Sequence, residues 1–160
     1  MGFPFSVREV DSPDGEAAAL FQRAFRARPP NVPRHFVAMF AGPDAERVAG
    51  YVHFSSFDDG VYLIGGLCID ARVYRKLDDA QRARVASDGS LSRWLLGHSI
   101  AALGSKRAVF AYTGDTRSRR DVFALGFVPT GSKFLLVQWH DARVELRDEL
   151  VRRVGLQGPF

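Results

Sequence analysis

The sequence predicts an α+β fold in which helices flank a mixed, mostly antiparallel central sheet of about seven strands. The chain has 160 residues, of which 46% are apolar and 25% charged, as expected for a globular protein with a hydrophobic core. Short strand-like and helical runs follow in the order strand, helix, three strands, helix, strand, helix, two strands, helix. No repeat or long linker divides residues 1–160, so we expect a single domain.

The first strand and helix are predicted from alternation and from capping residues. Phe5–Val10 alternates apolar and polar side chains as a half-buried strand does. Ser12 and Pro13 then offer an N-cap and a proline at the first helical position. Because proline disfavours helix in the residue before it, we expect the helix to end before Pro29.

Three strands are predicted next, because three apolar runs are separated by strong turn signals. The runs are His35–Ala41, Arg47–Ser56 and Val61–Asp70, with Gly- and Asp-rich turns between them. Gly65 and Gly66 interrupt the third run. A glycine inside a strand indicates either a β-bulge or the close approach of another group to the backbone, and both interpretations remain open here.

The second half of the chain alternates helices with short strands. Residues 72–86 are predicted as one polar helical excursion, and a further helix begins at Leu91 and ends near Gly104. Ala108–Tyr112 is predicted as a buried strand, and a short helix then ends at Gly126.

Two strands and an amphipathic helix are predicted to close the chain. The strands are Phe127–Thr130 and Phe134–Trp139, and the helix covers Asp141–Val154 with Gly155 as its C-cap. An apolar last strand at a sheet edge could pair across a homodimer.

Composition narrows the functional classes. Cys68 is the single cysteine, which excludes an internal disulfide and favours a cytoplasmic location. No apolar run approaches the roughly 20 residues of a membrane span, so no membrane partner is expected. The net charge is +4, and arginines are scattered beside acids rather than in a basic stripe, so no nucleic-acid partner is expected either. The histidines are dispersed, and no metal site is predicted.

Several segments carry a resemblance to a known family. Val48–Phe54, Leu67–Asp70, the loop into Leu91–Leu96 and above all the Leu-Gly-Phe-Val-Pro-Thr-Gly run at Leu125–Gly131 occur in an order that resembles the GNAT superfamily of N-acetyltransferases. This resemblance implies a GNAT-like fold over most of the chain, with acetyl-CoA as cosubstrate. It also implies direct transfer to a small-molecule amine or a protein amino group.

In that family the cosubstrate lies in a V between the fourth and fifth strands. The resemblance implies that the backbone of Leu67, Cys68 and Ile69 bonds the pantetheine arm as an added strand does. It further implies that the loop opening the next helix holds the pyrophosphate on backbone N–H groups. The expected cosubstrate-binding residues of that loop are Gly89, Ser90, Leu91 and Ser92. In this loop, serines occupy the positions where the family has small residues following a basic one. The alternative to pyrophosphate binding is a plain helix cap formed by Ser90 or Asp88.

The family's chemistry needs a base for the amine and an acid for the thiolate. The tyrosine that supplies the acid in the family corresponds to Val122 here. Tyr112 is therefore the candidate acid, with a packing role as the alternative. The candidate bases are Asp70, Asp115 and His53. Because Val122 and the serine-substituted loop depart from the family pattern, a catalytically silent domain that binds CoA or another ligand is the alternative function.

Overall fold

A computed structural model describes residues 2–160 and contains a seven-stranded sheet in the order β1-β2-β3-β4-β5-β7-β6. Only β4 and β5 are parallel, and every other neighbouring pair is antiparallel. The strands are β1 Phe5–Val10, β2 Arg34–Ala41, β3 Glu46–Asp58, β4 Val61–Ile69, β5 Ala108–Tyr112, β6 Val128–Pro129 and β7 Leu135–Trp139. The predicted fold class is therefore confirmed.

Six helices cover the two faces of this sheet. They are α1 Gly15–Phe25, α2 Ala71–Tyr74, α3 Asp79–Ser87, α4 Leu91–Ala102, α5 Thr116–Ala124 and α6 Val144–Gln157. Helices α2 to α5 bury their apolar side chains in one core, on what we call the α4 face. Helices α1 and α6 pack on the opposite side, called the α1 face, where each forms a separate apolar cluster. The α1 face is thus covered by two helices with a gap between their clusters.

Three predicted helix boundaries are wrong. Helix α1 begins at Gly15, because the Asp14 carbonyl, and not that of Ser12, accepts the first helical hydrogen bonds. Residues 72–86 form two helices, because the side chains of Asp70 and Asp78 each cap a separate helix start. Helix α6 continues to Gln157, so that Gly155 lies inside the helix and Gly158, at φ 77°, ends it.

The last strand is an interior strand and not an edge. Strand β7 pairs with β5 along its whole length and with β6 at Leu136 and Val137. The edge position belongs to β6, which has two residues. Because β7 is paired on both sides, the expected pairing of the last strand across a homodimer loses its structural basis. None of the helices within residues 2–160 is long and apolar enough to cross a membrane.

Candidate active site

The parallel strands β4 and β5 diverge soon after they begin. Their pairing covers only Val61–Leu63 opposite Ala108–Phe110. From Ile64 onwards the side of β4 that faces β5 is not paired with it, and a cleft of about 250 Å³ lies between the two strands. A strand with one free edge can bond an extended ligand through its backbone. The strand divergence therefore creates a binding cleft inside the sheet.

Residues from both faces of the sheet line the cleft. Leu96 of α4 and Val122 of α5 line it from the α4 face, and Phe25 of α1 reaches it from the α1 face. The remaining lining residues are Ile64, Gly65, Gly66, Leu67, Ala111, Tyr112, Thr113, Ser118 and Phe160. A molecule in this cleft can therefore contact side chains of both faces.

Two glycines form the wall of the cleft on β4. The register between β3 and β4 shifts between the pairs Tyr51–Cys68 and His53–Gly65, which places one extra residue on β4. Gly66 has φ 62°, and a Cβ on it would lie 2.6 Å from the Phe21 ring. A Cβ on Gly65 would overlap the imidazole of His53. Both sequence interpretations are thus confirmed, since this segment is a bulge and is also approached closely by side chains of the α1 face.

A buried chain of polar side chains runs from this wall across the α1 face. The Tyr51 hydroxyl lies 2.7 Å from His35 Nδ1 and 3.2 Å from His53 Nδ1. All three residues are buried, and the Phe21 ring packs over Tyr51 and His53 at centroid distances of 5.4 and 6.0 Å. Burial lowers the pKa of both histidines, that of His53 to about 4, so both rings are neutral at neutral pH.

The predicted pyrophosphate loop lies at the N-terminus of α4. Ser90 is the N-cap of this helix, and its hydroxyl oxygen accepts a hydrogen bond from the Arg93 N–H at 3.0 Å. The helix-cap interpretation of Ser90 is therefore confirmed. The hydroxyls of Ser90 and Ser92 both donate to one carboxylate oxygen of Asp121, a residue of α5 that is only 6% exposed. A helix N-terminus favours negative charge, and here a side chain of the protein supplies it.

Arg93 closes the same loop from another side. Its Nε donates to the Asp88 carbonyl at 2.6 Å, and its guanidinium lies over Gly89, where a Cβ would overlap it. Gly89 itself has φ 96° and is exposed, whereas Leu91 is buried in the α4-face core. In this conformation the loop from Gly89 to Ser92 is filled by Asp121 and Arg93.

The candidate acid and bases occupy different places. Tyr112 lines the cleft, with its ring between those of Phe134 and Phe160 at centroid distances of 6.1 and 6.0 Å. Asp70 and Asp115 do not line the cleft. They lie at the starts of α2 and α5, where both carboxylates accept hydrogen bonds.

Both carboxylates are tied up by these contacts. The Asp70 carboxylate accepts from Arg72 and from Arg23, and the Arg72 hydrogen bond holds its pKa below the usual range. Asp115 accepts from the Ser118 N–H at 2.8 Å, and this bond lowers its pKa as well. Each carboxylate caps a helix and lies away from the cleft.

The segment predicted to bond the pantetheine arm alternates between the faces. Leu67 and Ile69 pack against the α4-face core, while Cys68 packs on the cluster around α1. Burial raises the pKa of the Cys68 thiol to about 12, so it stays protonated and is a poor nucleophile. Of the three residues, Leu67 lines the cleft.

Sequence reasoning missed Asp121 and Ser118. Asp121 sits one residue before Val122 and has no local sequence signal, because its partners Ser90 and Ser92 belong to another helix. Ser118 occupies the first turn of α5 and lines the cleft. Within the described chain, no group of three or more His, Cys, Asp or Glu residues could hold a metal ion.

Comparison with known proteins places this arrangement in a structural class. No protein-family model and no curated protein matches the sequence. Among solved structures, the ribosomal-protein-S5-alanine acetyltransferase from Vibrio fischeri is similar over 86% of this chain and 94% of its own, with a TM-score of 0.56 and 15% identity. Ard1 from Thermoplasma volcanium is similar over 85% of this chain and 97% of its own, with a TM-score of 0.51 and 14% identity.

These similarities define the fold of the chain. The mixed, mostly antiparallel seven-stranded sheet flanked by helices matches the fold of these acetyltransferases, which are of the GNAT type. The chain therefore has the GNAT fold, and its low identity to these structures makes it a divergent example. The resemblance predicted from the sequence is confirmed at the level of the fold.

Proposed function

We propose that the protein is an N-acetyltransferase that moves an acetyl group from acetyl-CoA to an amine. The observation that carries this proposal is the cleft between β4 and β5, which is lined by residues from both faces of the sheet. In this proposal the donor binds on the α4 side of the cleft and the acceptor on the α1 side, so that the two meet within it. Such a ternary arrangement favours direct attack of the amine on the thioester.

The free edge of β4 is the proposed binding surface for the pantetheine arm. The backbone of Leu67, Cys68 and Ile69 would bond the arm in the manner of an added strand. Tyr112, at the end of β5, is the candidate acid for the departing thiolate, because it lines the cleft. Asp70 and Asp115 remain the bases predicted from the sequence, although each carboxylate already accepts a hydrogen bond at the start of a helix.

The pyrophosphate end of acetyl-CoA fits less well. The hydroxyls of Ser90 and Ser92 donate their hydrogen bonds to Asp121. They are therefore not free to donate to a phosphate. A carboxylate at this place repels a second anion. Acetyl-CoA binding in the predicted loop from Gly89 to Ser92 thus requires Asp121 to release both hydroxyls. We therefore expect the pyrophosphate to add little to the affinity of the intact protein.

The same contact favours a second candidate function. If Asp121 stays in place, the domain binds CoA or another ligand in the cleft and transfers nothing, as a catalytically silent GNAT-fold module. Product formation separates this candidate from the first. Both candidate functions use the cleft, but only the first requires the transfer of an acetyl group to an amine.

Calorimetric titration with acetyl-CoA, followed by an acetylation assay on a panel of amines and peptides, tests the proposal. The informative variant is Val122→Phe, because Val122 lines the cleft and a phenyl ring there occupies its volume. The matched control is Phe123→Leu, a change at an exposed position of the same helix.

We expect the intact protein and Phe123→Leu to bind acetyl-CoA and to acetylate at least one amine, while Val122→Phe does neither. Binding without any product would favour the silent module. Binding that survives in Val122→Phe would place the donor outside the cleft and contradict the proposal.

A further inference from the structure

His35, His53 and Gly65 form one row across the α1 face of the sheet. In the strand register His35 of β2 lies opposite His53 of β3, and His53 lies opposite Gly65 of β4. The Tyr51 hydroxyl bridges the two imidazoles through their Nδ1 atoms. Gly65 lines the cleft, so one end of this hydrogen-bonded chain lies at the cleft wall.

The other end of the chain lies at a different opening. His35 borders a surface pocket of about 580 Å³ that is formed by the start of α1 and the loop before β2. Asp11 and Arg28 are the charged residues of that pocket. The three side chains therefore connect the cleft with a separate surface pocket.

The two hydrogen bonds of the chain allow either direction of donation. In one of these directions the Tyr51 O–H donates to His35 Nδ1, and the Tyr51 oxygen accepts from His53 Nδ1–H. This assignment leaves the lone pair of His53 on Nε2.

His53 Nε2 is the nitrogen that faces the glycine wall. It is the atom nearest to a Cβ built on Gly65, and it takes part in neither of the two hydrogen bonds of the chain. No fully buried side-chain nitrogen or oxygen within residues 2–160 lacks a hydrogen-bond partner, so Nε2, which has none, is not completely buried. The absence of side chains at Gly65 and Gly66 is what allows this nitrogen to approach.

Few other titratable groups surround the chain. From β4, Cys68 faces Tyr51, and the pKa values of both groups are raised by burial. Arg23 of α1 and Asp70 pair with each other at 3.0 Å beside Cys68. The side of α1 that packs on the rings contributes the apolar Phe21. On this face Tyr112 itself lines the cleft, and His53 lies directly behind the lining residue Gly65.

From this geometry we propose that His53 accepts the proton of the attacking amine and that Tyr51 and His35 relay it to the surface pocket beside α1. The inference rests on the proposed acetyl transfer. It assigns the base to the α1 face, where the acceptor enters, instead of to Asp70 or Asp115.

The step balances as follows. The amine nitrogen forms a bond to the thioester carbon, and its proton goes to His53 Nε2. The proton on His53 Nδ1 passes to the Tyr51 oxygen, and the Tyr51 hydroxyl proton passes to His35 Nδ1. The carbon–sulfur bond breaks, and the thiolate takes a proton from Tyr112. His35 then releases its Nε2 proton to water in the pocket, and Tyr112 regains a proton from water once the thiol product has left. The chain is reset when His53 Nε2 loses its proton to water in the emptied cleft, Tyr51 and His35 pass their protons back, and His35 Nε2 takes one from the pocket.

The tautomer of His53 is testable without any substrate. In long-range ¹H–¹⁵N spectra of the intact protein, we expect His53 Nδ1 to be protonated and Nε2 to be unprotonated at pH 7. His53→Gln assigns the signals. A protonated Nε2 at pH 7 would overturn the proposal, because no lone pair would then face the cleft.

Kinetics test the relay on an amine that the intact protein acetylates. Tyr51→Phe keeps the ring and removes the bridge, so we expect kcat to fall by about ten- to a hundredfold, with KM and acetyl-CoA affinity changed by less than about twofold. His53→Gln should lower kcat by about a hundredfold or more. The matched control is Met39→Leu, because Met39 of β2 packs against the same apolar cluster that α1 covers. This variant should leave kcat unchanged.

The outcomes separate this inference from the proposed function. Wild-type kcat in a folded Tyr51→Phe protein would contradict the relay alone and leave acetyl transfer intact. A loss of acetyl-CoA affinity equal to the loss of kcat would show a structural role and would also overturn the relay. If the intact protein transfers nothing to any amine, the proposed function fails, and the role of His53 fails with it.

Discussion

The cleft between β4 and β5 and the N-terminus of α4 differ in what fills them. The cleft is open because β4 and β5 diverge, and the side chains of Phe21 and His53 pack directly on the two glycines of its β4 wall. The helix N-terminus is closed because Asp121 takes the hydroxyls of Ser90 and Ser92. The fold thus provides the reaction cleft by geometry, whereas the anion-binding end depends on side chains that here bond to each other.

The comparison shows how a site can diverge inside an unchanged fold. The divergence of two strands is a property of the whole sheet and tolerates much sequence change. A helix N-terminus is neutralised by one carboxylate on a neighbouring helix. We therefore expect a side chain added at the glycines of the cleft wall to lower stability, and removal of the Asp121 charge to change the affinity for an anionic donor.

The largest expected effect comes from adding a side chain to the cleft wall. Gly66→Ala places a Cβ 2.6 Å from the Phe21 ring at a φ of 62°. We expect it to lower the free energy of unfolding by about 3 kcal/mol, since strain and overpacking add. Urea unfolding measures the loss.

The matched control for Gly66→Ala is Gly131→Ala. Gly131 has φ 88°, and a Cβ there meets nothing within 4 Å. This variant introduces only the backbone strain, so we expect it to lower the free energy of unfolding by about 1 kcal/mol. An equal loss in both variants would show that the cleft wall is not tightly packed.

The next effect is the pH dependence that the buried chain of the α1 face produces. The pKa of His53 is lowered to about 4 by burial, whereas an unfolded histidine titrates near 6.5. Between these two values the unfolded state binds the proton and the folded state does not, so stability falls as the pH falls. From pH 7 to pH 5 we expect His53 to contribute a loss of about 2 kcal/mol.

Urea unfolding at a series of pH values checks this slope. His53→Gln should flatten it between pH 7 and pH 5, and His98→Gln, a change at an exposed histidine of α4, should not. Parallel curves for the intact protein and His53→Gln would show that burial does not lower the pKa of His53 in the folded state.

The smallest expected effect concerns the closed end of the site. Ser90→Ala removes both the helix cap and one donor to Asp121, and we expect a loss of about 1 to 2 kcal/mol in the free energy of unfolding. Ser87→Ala is the control, because the exposed Ser87 hydroxyl bonds only the Arg84 carbonyl of its own turn. Similar thermal stability of the two variants would contradict a structural role for Ser90.

Much of the fold could be predicted because its signals are local. Turn residues and alternating apolar positions define the strands, and Gly65 and Gly66 mark the bulge in β4. The helix ends were less predictable, since Asp78 starts a new helix inside a continuous polar pattern. Local signals therefore suffice for the order of the elements but not for every boundary.

The candidate site was only partly predictable for the same reason. Tyr112 and Leu67 line the cleft as the predicted strands imply. The contact of Asp121 with Ser90 and Ser92 joins two helices distant in sequence. No pattern within either helix signals that contact, so its effect on anion binding follows only from the packing of α4 against α5.

The affinities of two donors for the intact protein and for Asp121→Asn test the central claim most directly. Acetyl-CoA carries the pyrophosphate and S-acetylpantetheine does not, and calorimetry measures both. If the cleft binds the arm and Asp121 opposes the phosphates, Asp121→Asn should tighten acetyl-CoA about tenfold, or about 1.4 kcal/mol, and leave S-acetylpantetheine unchanged. Weaker acetyl-CoA binding in Asp121→Asn, or an equal change for both donors, would contradict the account.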